Sequence, residues 1–254
     1  MKISYYNNIL NICLFFVIIM DYRDHEIGHR DDGFWFRAKN DLISILMKKC
    51  SLKRRLKILN LGAGTGDDLD VLNQFGDNYV VDIDKKALSL IDGKKCIEKR
   101  QADACRLPYK PGFFDAVVSF DVFEHVKDDK KAISEVYRVL KKGGVLVFTV
   151  PAFQSLFSSH DRALKHMRRY GRKEMIGLLS GFRETETFYW NSLLFIPIAM
   201  MRIAKRRSKA RVDHAKLSRP ADWLLHRMIS IDNSMIKNDL SMPIGLTIAG
   251  ICRK

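Results

Sequence analysis

Short apolar runs alternate with stretches of helical period through the first two-thirds of this chain. The runs at residues 57–61, 79–82, 97–101, 114–120 and 145–150 have strand length and are bounded by turn-forming residues. Residues 114–120 are dense in apolar side chains, as a strand covered on both faces requires. Residues 41–49 read as the end of an amphipathic helix, with Leu42, Ile43, Leu46 and Met47 on one stripe. Residues 85–91 also read as helical. Residues 130–140 carry Ile133, Val136, Tyr137 and Leu140 at i, i+3, i+4 and i+7. The segment Lys141-Lys-Gly-Gly144 is expected to end that helix through basic charge and glycine, and Pro151 to stop the strand that follows.

This alternation predicts βαβ units, right-handed crossovers and an α/β, doubly wound, mostly parallel sheet. Past Pro151 the pattern loosens. Residues 184–190 and 245–252 are strand candidates, and residues 192–204 and 221–237 are helix candidates, the first with a kink predicted at Pro197. The 254 residues suit one domain over 21–254, with a core at 50–151 and a second region at 152–254 containing a helical insertion at 191–240. Residues 1–20 form an apolar extension. Its run 9–20 would span about 18 Å as a helix, short of the ~30 Å hydrocarbon core. The extension reads as an interfacial anchor, an ordinary extension, or sequence upstream of an initiator at Met20; the charged residues after Met20 favour the last.

Composition changes this picture in two places. The net charge of +15 is uneven: residues 165–211 hold twelve Lys/Arg against Glu174, Glu184 and Glu186, so they supply nine of the fifteen charges. Such a stretch is either a well-solvated face or the contact for an anionic partner. The five cysteines (13, 50, 96, 105, 252) form no C-x-x-C pair, which argues against a disulfide framework and against a zinc site, and no metal ligands are read from the sequence. A reducing cytoplasm fits best.

Candidate chemistry begins at Leu59-Asn-Leu-Gly-Ala-Gly-Thr-Gly66, which follows a predicted strand and opens a helix. Ligands of open α/β sheets bind beyond the carboxyl ends of the strands, and glycines let the backbone approach them. A dinucleotide turn reads G-x-G-x-x-G. Here the third glycine comes one position early and Asp67 fills the slot, where a carboxylate would repel a pyrophosphate. A phosphate-free cofactor with a sulfonium and an amino acid would tolerate it. Asp82 closes the second strand and can accept hydrogen bonds from ribose hydroxyls, while Asp84 reads as a helix cap. Asp67 or Asp68 can cap the helix after the turn. Asp103 can accept from an adenine amino group, with Ala104 offering its backbone N–H.

With these features in order, the chain resembles the class I S-adenosylmethionine-dependent methyltransferases, type 11/12, from about residue 34 to 151. The stretches ADACRLPYKPGFFDAVVSFDVFEHV and ISEVYRVLKKGGVLVFTVP look like that family's fourth strand, following helix and fifth strand. One departure is Asn60, where the family has an acid. The resemblance implies a seven-stranded Rossmann-like sheet whose last strand, within SMPIGLTIAGICRK, runs antiparallel. It implies S-adenosyl-L-methionine as cofactor, held by Asn60, Gly62, Ala63, Gly64, Gly66, Asp82, Ile83, Asp103, Ala104 and Ser119. Phe34-Trp-Phe-Arg37, and His160-Asp161 with His166, Arg168, Arg169 and Tyr170, look like a narrower subgroup met in bacterial and archaeal glycan or lipid pathways.

A hydroxyl acceptor needs a base, and imidazole is suited with a pKa near ~6.5. His160 is the favoured base, with His125, His166 and Asp121 as alternatives and Glu124 nearby. Phe34, Trp35 and Phe36 read as a lid over the adenosine or as a seam between helix and sheet. Residues 121–124 lack the Asn/Asp-Pro-Pro-aromatic turn of nucleobase amino-methylating enzymes, which lowers nucleic acid as a partner. From Leu193 to Arg211 an apolar segment runs into a cationic one, which suits an anionic membrane surface. The acceptor is thus expected to be a small molecule, a lipid or a lipid-linked glycan, and the protein cytoplasmic and peripheral to the inner face of the membrane. Rival readings are an RNA-binding or RNA-modifying methyltransferase and a nicotinamide-dependent oxidoreductase.

Overall fold

A computed structural model describes residues 33–52, 55–209 and 218–254. The apolar extension at 1–20, Met20 and the end of the cationic segment at Arg211 lie outside them. One sheet holds seven strands: β1 (Leu56–Leu61), β2 (Gly76–Asp82), β3 (Glu98–Gln101), β4 (Phe114–Phe120), β5 (Leu140–Pro151), β6 (Glu184–Trp190) and β7 (Thr247–Arg253). Their order is β3-β2-β1-β4-β5-β7-β6. The first five strands are mutually parallel, and β7 runs antiparallel to both β5 and β6. Chain order reverses between β1 and β4, so their carboxyl ends diverge and leave a crevice.

Strand alternation sends successive side chains to opposite layers. Val145 and Val147 of β5 face a core shared with α1 (Phe34–Lys49) and two later helices, α7 (Phe195–Ala204) and α8 (Arg219–Lys237). Leu146, Phe148 and Val150 face the other layer, with Ala132, Ile133, Val136 and Val139 of α4 (Asp129–Val139). Each fully buried aliphatic side chain contributes roughly 1.5–3 kcal/mol of transfer free energy, which holds the helices on the sheet. Between these elements lie the short helices α2 (Leu69–Leu72), α3 (Lys85–Leu90), α5 (Ser159–Ala163) and α6 (Arg172–Leu178).

Four local expectations are settled here, and three of them change. The segment Lys141–Gly144 belongs to β5, because α4 already ends at Val139. The Phe114↔Leu140 and Ala116↔Val145 pairs bracket a bulge, and Gly143 sits there at φ +74°. The kink at Pro197 is not needed, because α7 starts at Phe195 and Pro197 lies in its first turn, where no N–H is required. Asp68 precedes α2 without capping it, since its carboxylate is engaged by Asn60. Asp84 does cap α3, accepting from the Lys86 and Ala87 N–H groups.

Helix α8 is fixed to β6 and α1 by polar pins. Asn233 of α8 accepts from Trp190 Nε1 at 2.8 Å and donates to the Ala38 carbonyl at 2.9 Å. Asp222 accepts from the Phe34 N–H at 2.7 Å and from Arg37. No helix among the described residues is long and apolar enough to cross a membrane.

Candidate active site

The crevice is lined first by the turn after β1. Gly62, Gly64 and Gly66 have φ of +71°, +54° and +81°, a region L side chains rarely adopt. Gly62 is constrained twice: a Cβ there would lie 2.4 Å from Val122 Cγ2, in the loop after β4. Its N–H donates to the Val81 carbonyl at 2.7 Å, and the Gly66 N–H donates to the Ala63 carbonyl at 2.8 Å. Asp82, closing β2, accepts from the Gly64 N–H at 2.9 Å and the Asp84 N–H at 2.8 Å, one bond to each oxygen. A carboxylate has about four acceptor sites, so Asp82 keeps capacity for a ligand's hydroxyls.

A cavity of about 1170 Å³ extends from this turn to the loops after β4 and α5. Gly62, Ala63, Gly64, Asp82, Ile83, Asp103, Ala104, Asp121 and His125 all line it. Ile83 is 69% exposed, an apolar surface open to a ligand. Asp103 also accepts from the Cys105 N–H at 2.8 Å, so it shapes its own turn. Gly66, Asn60 and Ser119 stand behind the wall and do not line the cavity. Gly66 closes the turn, and Ser119 is buried in β4 with no partner for its hydroxyl among the described residues. Asn60 Nδ2 donates to Asp68 Oδ1 at 2.8 Å. Asp68 does line the cavity, so the acid missing at position 60 stands one hydrogen bond away. Desolvation pushes the Asp68 pKa up to about 6, despite the Asn60 bond and the charge of Lys39.

These features test what the turn can hold. The charges on the turn itself, Asp67 and Asp68, are anionic, which opposes a pyrophosphate. A cationic, phosphate-free adenosyl ligand would find acceptors in Asp82, for sugar hydroxyls, and in Asp68, for an ammonium, and an apolar contact in Ile83. The residues present fit S-adenosylmethionine.

The far end of the cavity carries more charge and reaches into the protein. Asp121, at the end of β4, has φ +58° and pairs with Lys39 of α1 at 2.9 Å, with Thr149 Oγ1 at 3.1 Å. Desolvation alone would raise its pKa, but the Lys39 ammonium and these hydrogen bonds outweigh it and hold the carboxyl below the usual range. An acid held ionised by a neighbouring cation is a poor proton acceptor. Three residues on, Glu124 is fully buried, and neither of its oxygens has a hydrogen-bond partner among the described residues. Burial, and then repulsion from Asp121, raise its pKa well above the usual carboxylate range.

His160 lies apart from this end. It is buried in α5, does not line the cavity, and neither ring nitrogen has a hydrogen-bond partner among the described residues. Burial, then the charge of Arg202, lower its pKa well below the ordinary imidazole value, so the ring is neutral. The histidines at the cavity are His125, which is exposed, and His166, with ring centroids 4.6 Å apart.

His166 is brought there by a buried network around Asp161. That carboxylate accepts from the Ser158 N–H (2.8 Å), Arg169 Nε (2.7 Å) and Arg202 Nη1 (3.1 Å), and lies 3.2 Å from His166 Nδ1. Burial would raise its pKa, but His166 and the two guanidinium groups hold it far below the usual range. An ionised carboxylate only accepts, so His166 Nδ1 is the donor to Asp161, and Nε2 lies 4.0 Å from Glu124 Oε1. The Met167 N–H donates to the Glu124 carbonyl at 2.9 Å, which ties the two loops together.

Lys39 carries no signal in its own neighbourhood of sequence; only its helical spacing from Trp35, on a helix packed over the crevice, points to it. Trp35 packs on Trp190 with centroids 4.9 Å apart, while Phe36 is half-buried and lines the cavity. The aromatic trio thus serves as seam and as wall.

A family model described as a methyltransferase domain matches residues 59–148. A Mycolicibacterium smegmatis protein named as a probable S-adenosylmethionine-dependent methyltransferase is 26% identical over 166 residues, covering 63% of each chain. A Streptomyces avermitilis protein named demethylmenaquinone methyltransferase is 33% identical over 142 residues, covering 50% of this chain and 61% of its own. The chain spans only 54–63% of the length of the mycobacterial relatives it matches. A solved S-adenosylmethionine-dependent methyltransferase of Archaeoglobus fulgidus superposes with a TM-score of 0.53 at 18% identity, covering 85% of this chain and 94% of its own, which shows a shared fold.

Proposed function

We propose that the chain is a class I S-adenosylmethionine-dependent methyltransferase and that it methylates an apolar, lipid-like acceptor entering the far end of the cavity. One observation carries this reading: a single cavity joins the glycine turn and Asp82 to the cluster of Glu124, His125 and His166. When bound, the cofactor supplies an electrophilic methyl group on positively charged sulfur. The protein must align the acceptor with that methyl and exclude water. The Gly62–Gly66 turn and Asp82 hold the adenosyl end. Trp35, Phe36 and Phe120 wall the acceptor, and Lys39 fixes Asp121 between the two ends. The cluster receives the acceptor's reacting end. His160 and Asp161 stand behind it; Asp161 positions the cluster through His166, and neither residue takes part at the reacting atoms.

The acceptor class is supported from outside the cavity. On α7, Ile196, Met200 and Ile203 are 64%, 57% and 58% exposed at i, i+4 and i+7, one bare apolar stripe. Arg206, Arg207 and Lys209 follow it directly. An apolar stripe running into cations fits an anionic phospholipid surface, where each basic residue contributes about 1 kcal/mol. The relative named for demethylmenaquinone points to the same kind of acceptor.

Labelled methyl transfer into a fractionated extract tests the reaction. Label is expected in the lipid fraction; label in RNA or protein alone defeats the proposed acceptor. Co-sedimentation with anionic vesicles tests the surface. Met200 and Ile203 are both exposed, so replacing them costs no core packing. Met200→Glu with Ile203→Glu should therefore reduce vesicle binding at least about tenfold and leave cofactor affinity unchanged.

A further inference from the structure

We propose that Glu124, His125 and His166 hold one divalent transition-metal ion at the far end of the cavity, with a coordination position open for an oxygen of the acceptor. One ligand atom from each residue lies within 4.8 Å of the others. Around a tetrahedral ion with bonds of about 2.0–2.2 Å, ligand atoms stand roughly 3.4 Å apart, so the three side chains need draw in by only about 1 Å.

Two independent observations point to a cation here. The first is Glu124, whose side chain is fully buried with both oxygens lacking a hydrogen-bond partner among the described residues. A buried carboxyl without partners is strongly unfavourable unless something absent from the protein itself completes it. The nearby cations are engaged elsewhere: Lys39 with Asp121, Arg169 with Asp161 and the Ala152 carbonyl. The second is the outer shell. Metal-binding imidazoles pass their second N–H to a carboxylate, which fixes the ring and leaves the other nitrogen to the ion. His166 has that arrangement, with Nδ1 at 3.2 Å from Asp161 and Nε2 turned toward Glu124. Asp161 is in turn held by Ser158, Arg169 and Arg202.

Two imidazoles and one carboxylate suit zinc, iron, manganese or cobalt rather than magnesium or calcium, which prefer all-oxygen sites. Three protein ligands leave a fourth position for another molecule, as in metal sites that engage substrate. All three residues line the cavity, so that position faces the acceptor. An ion there would orient the acceptor's oxygen and favour its ionised form. This role rests on the methyl-transfer reading, whereas metal binding itself does not.

The test uses the full chain, stripped with a chelator and titrated with Zn²⁺ and Co²⁺. One equivalent should bind, and Co²⁺ should give the visible absorption of a four- or five-coordinate site. Glu124→Gln preserves shape and removes the carboxyl ligand, so it should fold; it and His166→Ala should each weaken Zn²⁺ binding at least about tenfold. Asp161→Asn should weaken it ~10–100-fold if melting shows it folded, and His160→Ala should bind as the wild type does. Failure of the wild type to take up Co²⁺, or unchanged Zn²⁺ affinity in Glu124→Gln and His166→Ala, overturns the proposal. Calorimetric titration of the same samples with S-adenosylmethionine reads the cofactor site separately, so a chain that binds cofactor and no metal defeats only this inference.

Discussion

The two ends of the cavity are built by different means. At the cofactor end the backbone sets the geometry: three glycines at positive φ, the ends of β1 and β2, and N–H groups donated to Asp82. Its residues are close together in sequence. At the proposed acceptor end, side chains are assembled by buried charge, with Arg202 and Lys39 brought in from distant segments. Asp161 joins Ser158, His166, Arg169 and Arg202, and Lys39 crosses 82 positions to reach Asp121. The first arrangement tolerates changes in its surroundings, because a strand–turn–helix unit sets it locally. The second depends on every partner, because removing one leaves a charge buried and unpaired.

That contrast can be broken most forcefully at Asp161. Asp161→Asn strands the Arg169 and Arg202 guanidinium groups, and is expected to reduce unfolding free energy by about 3–5 kcal/mol in urea titration. Stability close to wild type would show that the network is not what holds the acceptor end. Gly64→Arg is expected to lower S-adenosylmethionine affinity more than about a hundredfold, roughly 2.7 kcal/mol, with the far-ultraviolet spectrum nearly unchanged. Unchanged affinity would refute the placement of the cofactor. Asp82→Ala removes a charged acceptor and should weaken binding by about 1.5–3 kcal/mol in calorimetry, while leaving acceptor-end variants unaffected in additive cycles.

A last test sharpens the comparison through pH. The Asp68 pKa is raised to about 6 in the folded chain. The folded state therefore binds more protons than the unfolded state between about pH 4 and that value. The stability this group contributes is full below about pH 4 and is lost as pH rises through 6, with a slope of at most about 1.4 kcal/mol per unit. Asp68→Asn should flatten the ligand-free stability profile in that window. A profile identical to wild type would show that Asp68 does not titrate there.

Legibility follows the same division. The strand at 114–120 lies where the apolar pattern places it, because a covered strand leaves a dense run. Asp84 is the cap that its position before 85–91 implies. The segment Lys141–Gly144 is ambiguous in sequence because basic residues followed by glycine fit a helix end and a bulge equally well, and only pairing with β4 chooses the bulge. His160 and His166 look alike in sequence. Their roles separate only when the capping turn at Ser158 buries one and Asp161 turns the other into the cavity.

By itself, then, the order of residues determined the parallel sheet, the glycine turn and the acid at the end of β2. Each is specified by local backbone preference or by strand and helix periodicity, which act over a few positions. Tertiary structure alone decided that Asn60 hands its place to Asp68, that Lys39 reaches Asp121, and that Glu124, His125 and His166 meet. Those contacts form between segments whose separation in sequence says nothing about distance in space, and they hold because burial strengthens the attraction between the charges brought together.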